Sequence, residues 1–453
     1  MAYCGYVTTL KNVRKHPNAD RLLLGECFGN VVCVSTDYAE GEIGVYFPTD
    51  GQLSVEFAEQ NNLLRKKDEN GNNIGGYMDP DKRNVTSIKL RGEKSDGLFL
   101  PISCLEYTGV DMDLLEVGTT ITDVNGHHIC EKYIPKRKTQ GTHDKVNKTR
   151  KKKVPIAPLF AEHADTEQLA YNMNVFKAGD EIEITLKMHG TSQRTGYLPK
   201  LQGYKRTLLD KIFRREGTPI YDWGYVTGTR RVVLKDFGGE GYYDTNNFRE
   251  GPAKAFEGKL HKGETVYYEV VGYTDTGAPI MGDCDNKKLN DKDFVKQYGE
   301  TTRFSYGMDE GFCDFYVYRM TMTNEDGDVV EYTPDFMRYR CEQMGVKTVM
   351  VFAKATIDYE GVHVFYPDYY GYVHTTLCPG ETVREVAERY YDGPDPVGKT
   401  HIREGVVVRI VNRPSFTAYK HKNWYFKALE GIVKIEADAP DMEEAQEIQE
   451  DGE

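Results

Sequence analysis

Lys187 stands in the run Leu186-Lys187-Met188-His189-Gly190-Thr191-Ser192. A lysine amine is a nucleophile when it is neutral, and it can then form a covalent bond to a nucleotide phosphate. Gly190 follows at a point where backbone can approach a phosphate closely. Two later segments carry a glutamate where a strand core is expected to be apolar: Val266-Tyr267-Tyr268-Glu269-Val270-Val271-Gly272 and Arg403-Glu404-Gly405-Val406-Val407-Val408-Arg409. An ionised carboxylate in such a run is costly unless it binds something. Ribose hydroxyls and hydrated Mg²⁺ are suitable partners. A solvated strand face is the alternative for either one. Lys420 and Lys422 lie two apart in Ala418-Tyr419-Lys420-His421-Lys422, which puts both ammonium groups on one side of a strand. A triphosphate between them would relieve their repulsion; a solvated edge strand is the bland reading. In Asp314-Phe315-Tyr316-Val317-Tyr318, Phe315 and Val317 face one way, and Tyr316 and Tyr318 the other. An aromatic at a pocket end can stack on a purine, and core packing is the competing reading.

The elements that position these groups read mainly as strands. Glu181-Ile182-Glu183-Ile184-Thr185-Leu186 alternates with one apolar face and delivers Lys187 to its end. Residues 1–131 read as short strands separated by turns, in the manner of a small all-β barrel. Val31–Ser35 and Ile43–Phe47 are strand candidates, 68–76 is a turn or loop, and Asn125-Gly126 signals a hairpin. Residues 132–158 form a basic linker, 159–435 a second domain of strands with a few helices, and 436–453 an acidic disordered tail. Helix starts are expected at Asp165-Thr166-Glu167-Gln168 and at Thr333-Pro334, with a further helix over 381–389. The expected class is α+β.

At 453 residues the chain is long enough for two domains. No apolar run reaches the roughly 18 residues of a membrane span, and Met1–Tyr6 carries no signal pattern. Nine scattered cysteines without a Cys-x-x-Cys pair argue against structural zinc and for reduced thiols in a cytoplasm. The net charge of −13 is unevenly spread, because 436–453 holds nine carboxylates and no base. Between Lys132 and Lys153, ten bases face only Asp144, a density that can neutralise nucleic-acid phosphates or simply solvate a linker.

Lys187 has two look-alikes, Lys94 in Lys-Ser-Asp-Gly and Lys235 in Lys-Asp-Phe-Gly. The downstream order separates them: lysine, glutamate strand, aromatic strand, glutamate strand, lysine pair. That order resembles motifs I, III, IIIa, IV and V of the covalent nucleotidyltransferases, which include DNA ligases, RNA ligases and mRNA capping enzymes. Lys-x-His-Gly-Thr, Asp314–Tyr318 and Lys420-His421-Lys422 are similar to the nick-sealing RNA ligases, although Ser192 stands where some carry Asn. Over 1–435 the layout resembles the Deinococcus-type ATP-dependent RNA ligases, and His16-Pro17-Asn18-Ala19-Asp20-Arg21-Leu22 resembles the start of tRNA-binding OB modules. The resemblance implies an N-terminal OB-fold β-barrel followed by a ligase-type nucleotidyltransferase domain built on antiparallel sheets with flanking helices. It implies Lys187 as the residue that takes up AMP from ATP, with Gly190 in the nucleotide site and His189 assisting later steps. Arg194 and Arg230 would contact ribose or phosphate, Glu269 the ribose, and Tyr318 the adenine. Glu404 would place Mg²⁺ (or Mn²⁺), and Lys420 and Lys422 would grip the α-phosphate. The implied partner is a nicked RNA duplex or RNA/DNA hybrid, and the enzyme a cytoplasmic monomer without membrane contact. A capping-type guanylyltransferase and a non-catalytic OB-fold RNA-binding protein are the alternatives.

Overall fold

The computed structural model describes residues 3–67, 73–133, 154–208, 217–234, 247–367 and 373–430. Lys235, the tail from 436, most of the basic linker and most of the 68–76 turn lie outside these residues. The chain divides into two compact units. Among the described residues the first comprises 3–133, Cys284–Thr302 and 423–430; the second comprises 154–283 and 303–422. No described helix is long and apolar enough to cross a membrane.

In the first unit an antiparallel four-stranded sheet runs in the order Leu98–Pro101, Ile43–Phe47, Gly5–Thr9, Thr120–Ile121. Its apolar face joins Val7, Val45 and Phe47 to Phe57, Leu105 and Ile129 in one core. The strands expected near 31–35 and 43–47 are Asn30–Ser35 and Ile43–Phe47. Asp123–Val124 pairs with His127–His128 across Asn125 and Gly126, whose φ values of 49° and 84° make the tight turn that Asn-Gly favours. Sheets of three and two strands complete the unit, and no closed ring of strands forms among the described residues. Two distant stretches of chain belong to this unit. Asp291 caps the helix Lys292–Tyr298 and accepts from Lys89 Nζ at 2.6 Å and Tyr425 Oη at 3.0 Å, so one carboxylate ties three segments together. Burial opposes this charge, but these bonds and the cap outweigh it and bring the carboxyl down to about 2.

The second unit is built on two sheets. The seven-stranded one runs Glu167–Gln168, Thr417–Lys422, Gly405–Ile410, Glu181–Lys187, Val351–Ile357, Gly361–Pro367, Val373–Pro379. The five-stranded one runs Thr218–Gly228, Thr191–Lys205, Glu264–Gly272, Cys313–Thr323, Val329–Glu331 and is antiparallel throughout. Ile182, Ile184, Val406, Val408 and Ile410 bury one side of the seven-stranded sheet against the helix Val383–Glu388. That helix begins with a capping box between Thr382 and Glu385, and Thr333 with Pro334 opens the helix Pro334–Met344.

One expected helix start is absent. Glu167–Gln168 forms a short strand parallel to Thr417–Lys422, the 3-10 turn Leu169–Tyr171 that follows has no side-chain cap, and Asp165 pairs with Arg230 instead. A nearby guanidinium and an open sheet edge outcompete local capping. On the other side of the seven-stranded sheet, buried ions link it to the five-stranded one. Arg409 of the seven-stranded sheet and Arg319 of the five-stranded one share Glu331 at 3.2 and 2.9 Å, and Arg338 of the helix Pro334–Met344 binds Glu183 at 2.7 Å.

Candidate nucleotide and metal site

Sheet register gathers the lysines. Lys187, the last residue of its strand, lies opposite Gly405, and Gly405 lies opposite Lys422. Glu404, just before that strand, therefore sits between two ammonium groups. Its Oε1 is 2.7 Å from Lys187 Nζ and 3.5 Å from Lys422 Nζ. Lys420 lies opposite Val407, on the same side of the strand as Lys422. A Cβ at Gly405 would lie 2.1 Å from the His421 carbonyl oxygen, so the close approach of these strands demands glycine.

The turn after Lys187 leads directly into the five-stranded sheet. A Cβ on Gly190 would meet the Val270 carbonyl oxygen at 2.3 Å. The glycine therefore lets the turn lie flat against the Glu269 strand. Ser192 pairs with Glu269 in register and donates its hydroxyl to Glu269 Oε2 at 3.2 Å. Tyr318 falls at a break in register: Tyr267 is opposite Arg319 and Tyr268 opposite Val317, leaving Tyr318 as the extra residue. Such a bulge re-aims its side chain. The Tyr318 ring packs edge-on to His163 at 5.5 Å, and burial followed by the nearby Glu269 charge holds its hydroxyl neutral.

The two carboxylates have opposite electrostatic settings. Burial raises the Glu404 carboxyl, but Lys187, Lys422 and His189 overcome this and hold it well below the usual range. Burial and the Glu404 charge push Glu269 up to about 7, against the opposing pull of Lys187 and Ser192. Burial, with Lys187 and Lys422 beside it, pushes His189 down to about 3, although Glu404 opposes this. The imidazole is therefore neutral at physiological pH, 3.8 Å from Glu404 through Nδ1. Among the described residues, no hydrogen-bond donor reaches the buried Glu404 Oε2. A free carboxylate oxygen of this kind suits a hard divalent cation.

The fold thus brings together Lys187, His189, Gly190, Glu269, Glu404 and Lys422, with Tyr318 beside Glu269. The two arginines lie differently. Arg194 is 1% exposed; it donates to the carbonyls of Ala161 and Arg231 and stacks on Phe160 at 4.4 Å. Arg230 pairs with Asp165, while its charge still reaches Glu269. Lys94, the look-alike, belongs to the first unit, where its Nζ lies 4.3 Å from the Tyr425 ring. Sequence reasoning missed Tyr306, whose hydroxyl accepts the His189 N–H at 2.6 Å. It lies outside any strand or helix, in a segment with no periodic signal.

No family model matches the chain. No curated protein sequence matches it either. Solved structures do. Naegleria gruberi RNA ligase with PPi superposes with a TM-score of 0.53 at 15% identity, covering 93% of this chain and 97% of the ligase. A lysine-to-alanine mutant of that ligase with ATP and Mn gives 0.53 over 95% and 98%, and a lysine-to-methionine mutant with AMP and Mn gives 0.53 over 94% and 98%. At this identity the likeness establishes a shared fold over nearly the whole of both chains.

Proposed function

We propose that this chain is an ATP-dependent RNA ligase acting through a covalent Lys187–AMP intermediate. The observation that carries the reading is the meeting of Lys187, Glu404 and Lys422 with Glu269 and Ser192, in a fold shared along its length with an RNA ligase.

The neutral Lys187 amine attacks the α-phosphorus of ATP. A P–N bond forms, the P–O bond to pyrophosphate breaks, and the lysine proton leaves. Lys420 and Lys422 neutralise the phosphate oxygens, Glu269 and Ser192 receive the ribose hydroxyls, and Tyr318 stacks on the base. Glu404 is the residue that would hold Mg²⁺ or Mn²⁺, whose positive charge offsets the carboxylate and favours loss of the Lys187 proton. An RNA 5′-phosphate then takes AMP from Lys187, and a 3′-hydroxyl displaces AMP to close the phosphodiester. His189, neutral and beside Glu404, acts in these later steps by hydrogen bonding rather than by charge. Arg194 acts one step back by fixing the 160–163 segment, and Arg230 supplies positive charge near Glu269. The first unit is read as an OB-type nucleic-acid clamp, with the basic run at 132–153 adding phosphate contacts at a nick. The enzyme is read as a monomer working in a cytoplasm, where scattered cysteines stay reduced.

Labelled ATP with Mg²⁺ tests the reading. The contrast is between the two lysines: Lys94→Ala takes up AMP like wild type, and Lys187→Ala takes up none. Labelling by GTP alone would replace the ligase by a capping-type guanylyltransferase. Absence of any adduct would leave an RNA-binding protein. Nicked RNA and RNA/DNA duplexes then report sealing.

A further inference from the structure

We infer that Tyr306 is a positioning residue for the Lys187–Gly190 turn, acting as the head of a buried ring clamp. The inference rests on the ligase reading for its assay and on geometry for its substance. The Tyr306 hydroxyl accepts the main-chain N–H of His189 at 2.6 Å, between the nucleophile and Gly190. Tyr306 is 1% exposed and adopts φ 53°, a left-handed conformation that a bulky residue occupies only when its surroundings enforce it.

The surroundings are specific. A Cβ on Gly398 would lie 2.3 Å from the Tyr306 carbonyl carbon, so that segment presses directly on the strained residue. The ring of His401, 0% exposed, packs edge-on to Tyr306 at 4.5 Å and to Phe304 at 5.1 Å. Phe304 in turn packs edge-on to the His189 imidazole at 4.6 Å. His401 is fixed through Nδ1 against the Ile402 carbonyl at 2.8 Å, and the His401 carbonyl accepts from the buried Asp395 main chain at 2.8 Å. The His189 turn is therefore held twice, at its backbone by Tyr306 and at its ring by Phe304, with one histidine behind both. The same short stretch that supplies His401 supplies Glu404. The clamp thereby ties the position of the Lys187 turn to the position of the carboxylate that faces it.

Tyr306→Phe removes the acceptor and keeps the ring. Single-turnover adenylylation at varied ATP separates the possibilities. We expect the full amplitude of labelled protein, a rate constant at saturating ATP reduced about tenfold, and half-saturation within about twofold of wild type, as for loss of one buried hydrogen bond at the reacting turn. A role in folding alone would lower the amplitude or the melting temperature and leave the rate constant of the folded fraction unchanged, and that result would overturn the inference. Should Tyr306→Phe fail to fold, His401→Gln leaves both His189 contacts in place and withdraws only the ring behind them. The same slow, full-amplitude labelling supports the clamp, and a wild-type rate constant rejects it. If wild type itself takes no label, the ligase reading fails instead.

Discussion

Glu269 and Glu404 both face Lys187, yet only one is comfortable as an anion. Glu404 lies between two ammonium groups, whereas Glu269 has burial and a neighbouring carboxylate against it. For Glu269 the folded state raises the carboxyl from 4.5 to about 7. Its stabilising contribution is thus fully present below about pH 4.5 and lost as pH rises through about 7. Glu269→Gln removes that loss, worth up to about 3 kcal/mol. The variant is expected to melt higher than wild type at pH 8, with the gap shrinking toward pH 5, while AMP uptake falls at least about tenfold. A lower melting temperature at pH 8 would contradict the assignment of burial as the dominant cause. Glu404→Gln has the opposite stability effect. It leaves two ammonium groups facing each other around a neutral amide, a loss of about 3 kcal/mol by analogy with broken buried ion pairs, measurable by denaturant unfolding.

Strands carry most of what the sequence made legible. Alternation placed Lys187 at a strand end, and the two-residue spacing of Lys420 and Lys422 put them on one side of theirs, because a strand repeats every two residues whatever its surroundings. Three features were illegible for identifiable reasons. The Tyr318 bulge depends on how neighbouring strands meet, which no period within Asp314–Tyr318 encodes. Asp165 looked like a cap because the local signal omits Arg230, 65 residues away. Tyr306 and His401 sit in irregular segments, and the contacts that join them to each other and to His189 are long-range. Gly405 gives a test at this scale. Gly405→Ala drives a methyl into the His421 carbonyl at 2.1 Å, so the Lys187–Gly405–Lys422 register has to open. The expected result is a melting temperature lower by several degrees and AMP uptake below a tenth of wild type; a folded, fully active variant would show that this register is dispensable.

At the scale of the molecule, nucleic-acid affinity and catalysis are expected to separate. RNA binding should weaken steeply with salt, since phosphate contacts release counterions. The proposed self-adenylylation, which would be set by buried groups, should change little over the same range. Binding by gel shift and labelling at rising salt check this, and parallel losses would argue against it. The first unit also depends on residues far along the chain: Asp291 and Tyr425 complete its bonding to Lys89. Deleting residues from 423 onward is therefore expected to expose the 3–133 region to limited proteolysis.

That arrangement bears on how the protein is made. A ribosome releases residues 3–133 long before it has translated 284–302 or 423–430. That stretch is thus completed only by segments made much later, and it waits through the synthesis of the second unit with Lys89 and Asp96 lacking the partners they later find in Asp291 and Lys427. Nascent chains stalled before residue 423 should be cut more readily by protease within 3–133, whereas release of the helix Trp424–Glu430 ends the wait. The helix works as a closing stitch, and a transcript that ends early yields a protein whose first-made part never seals.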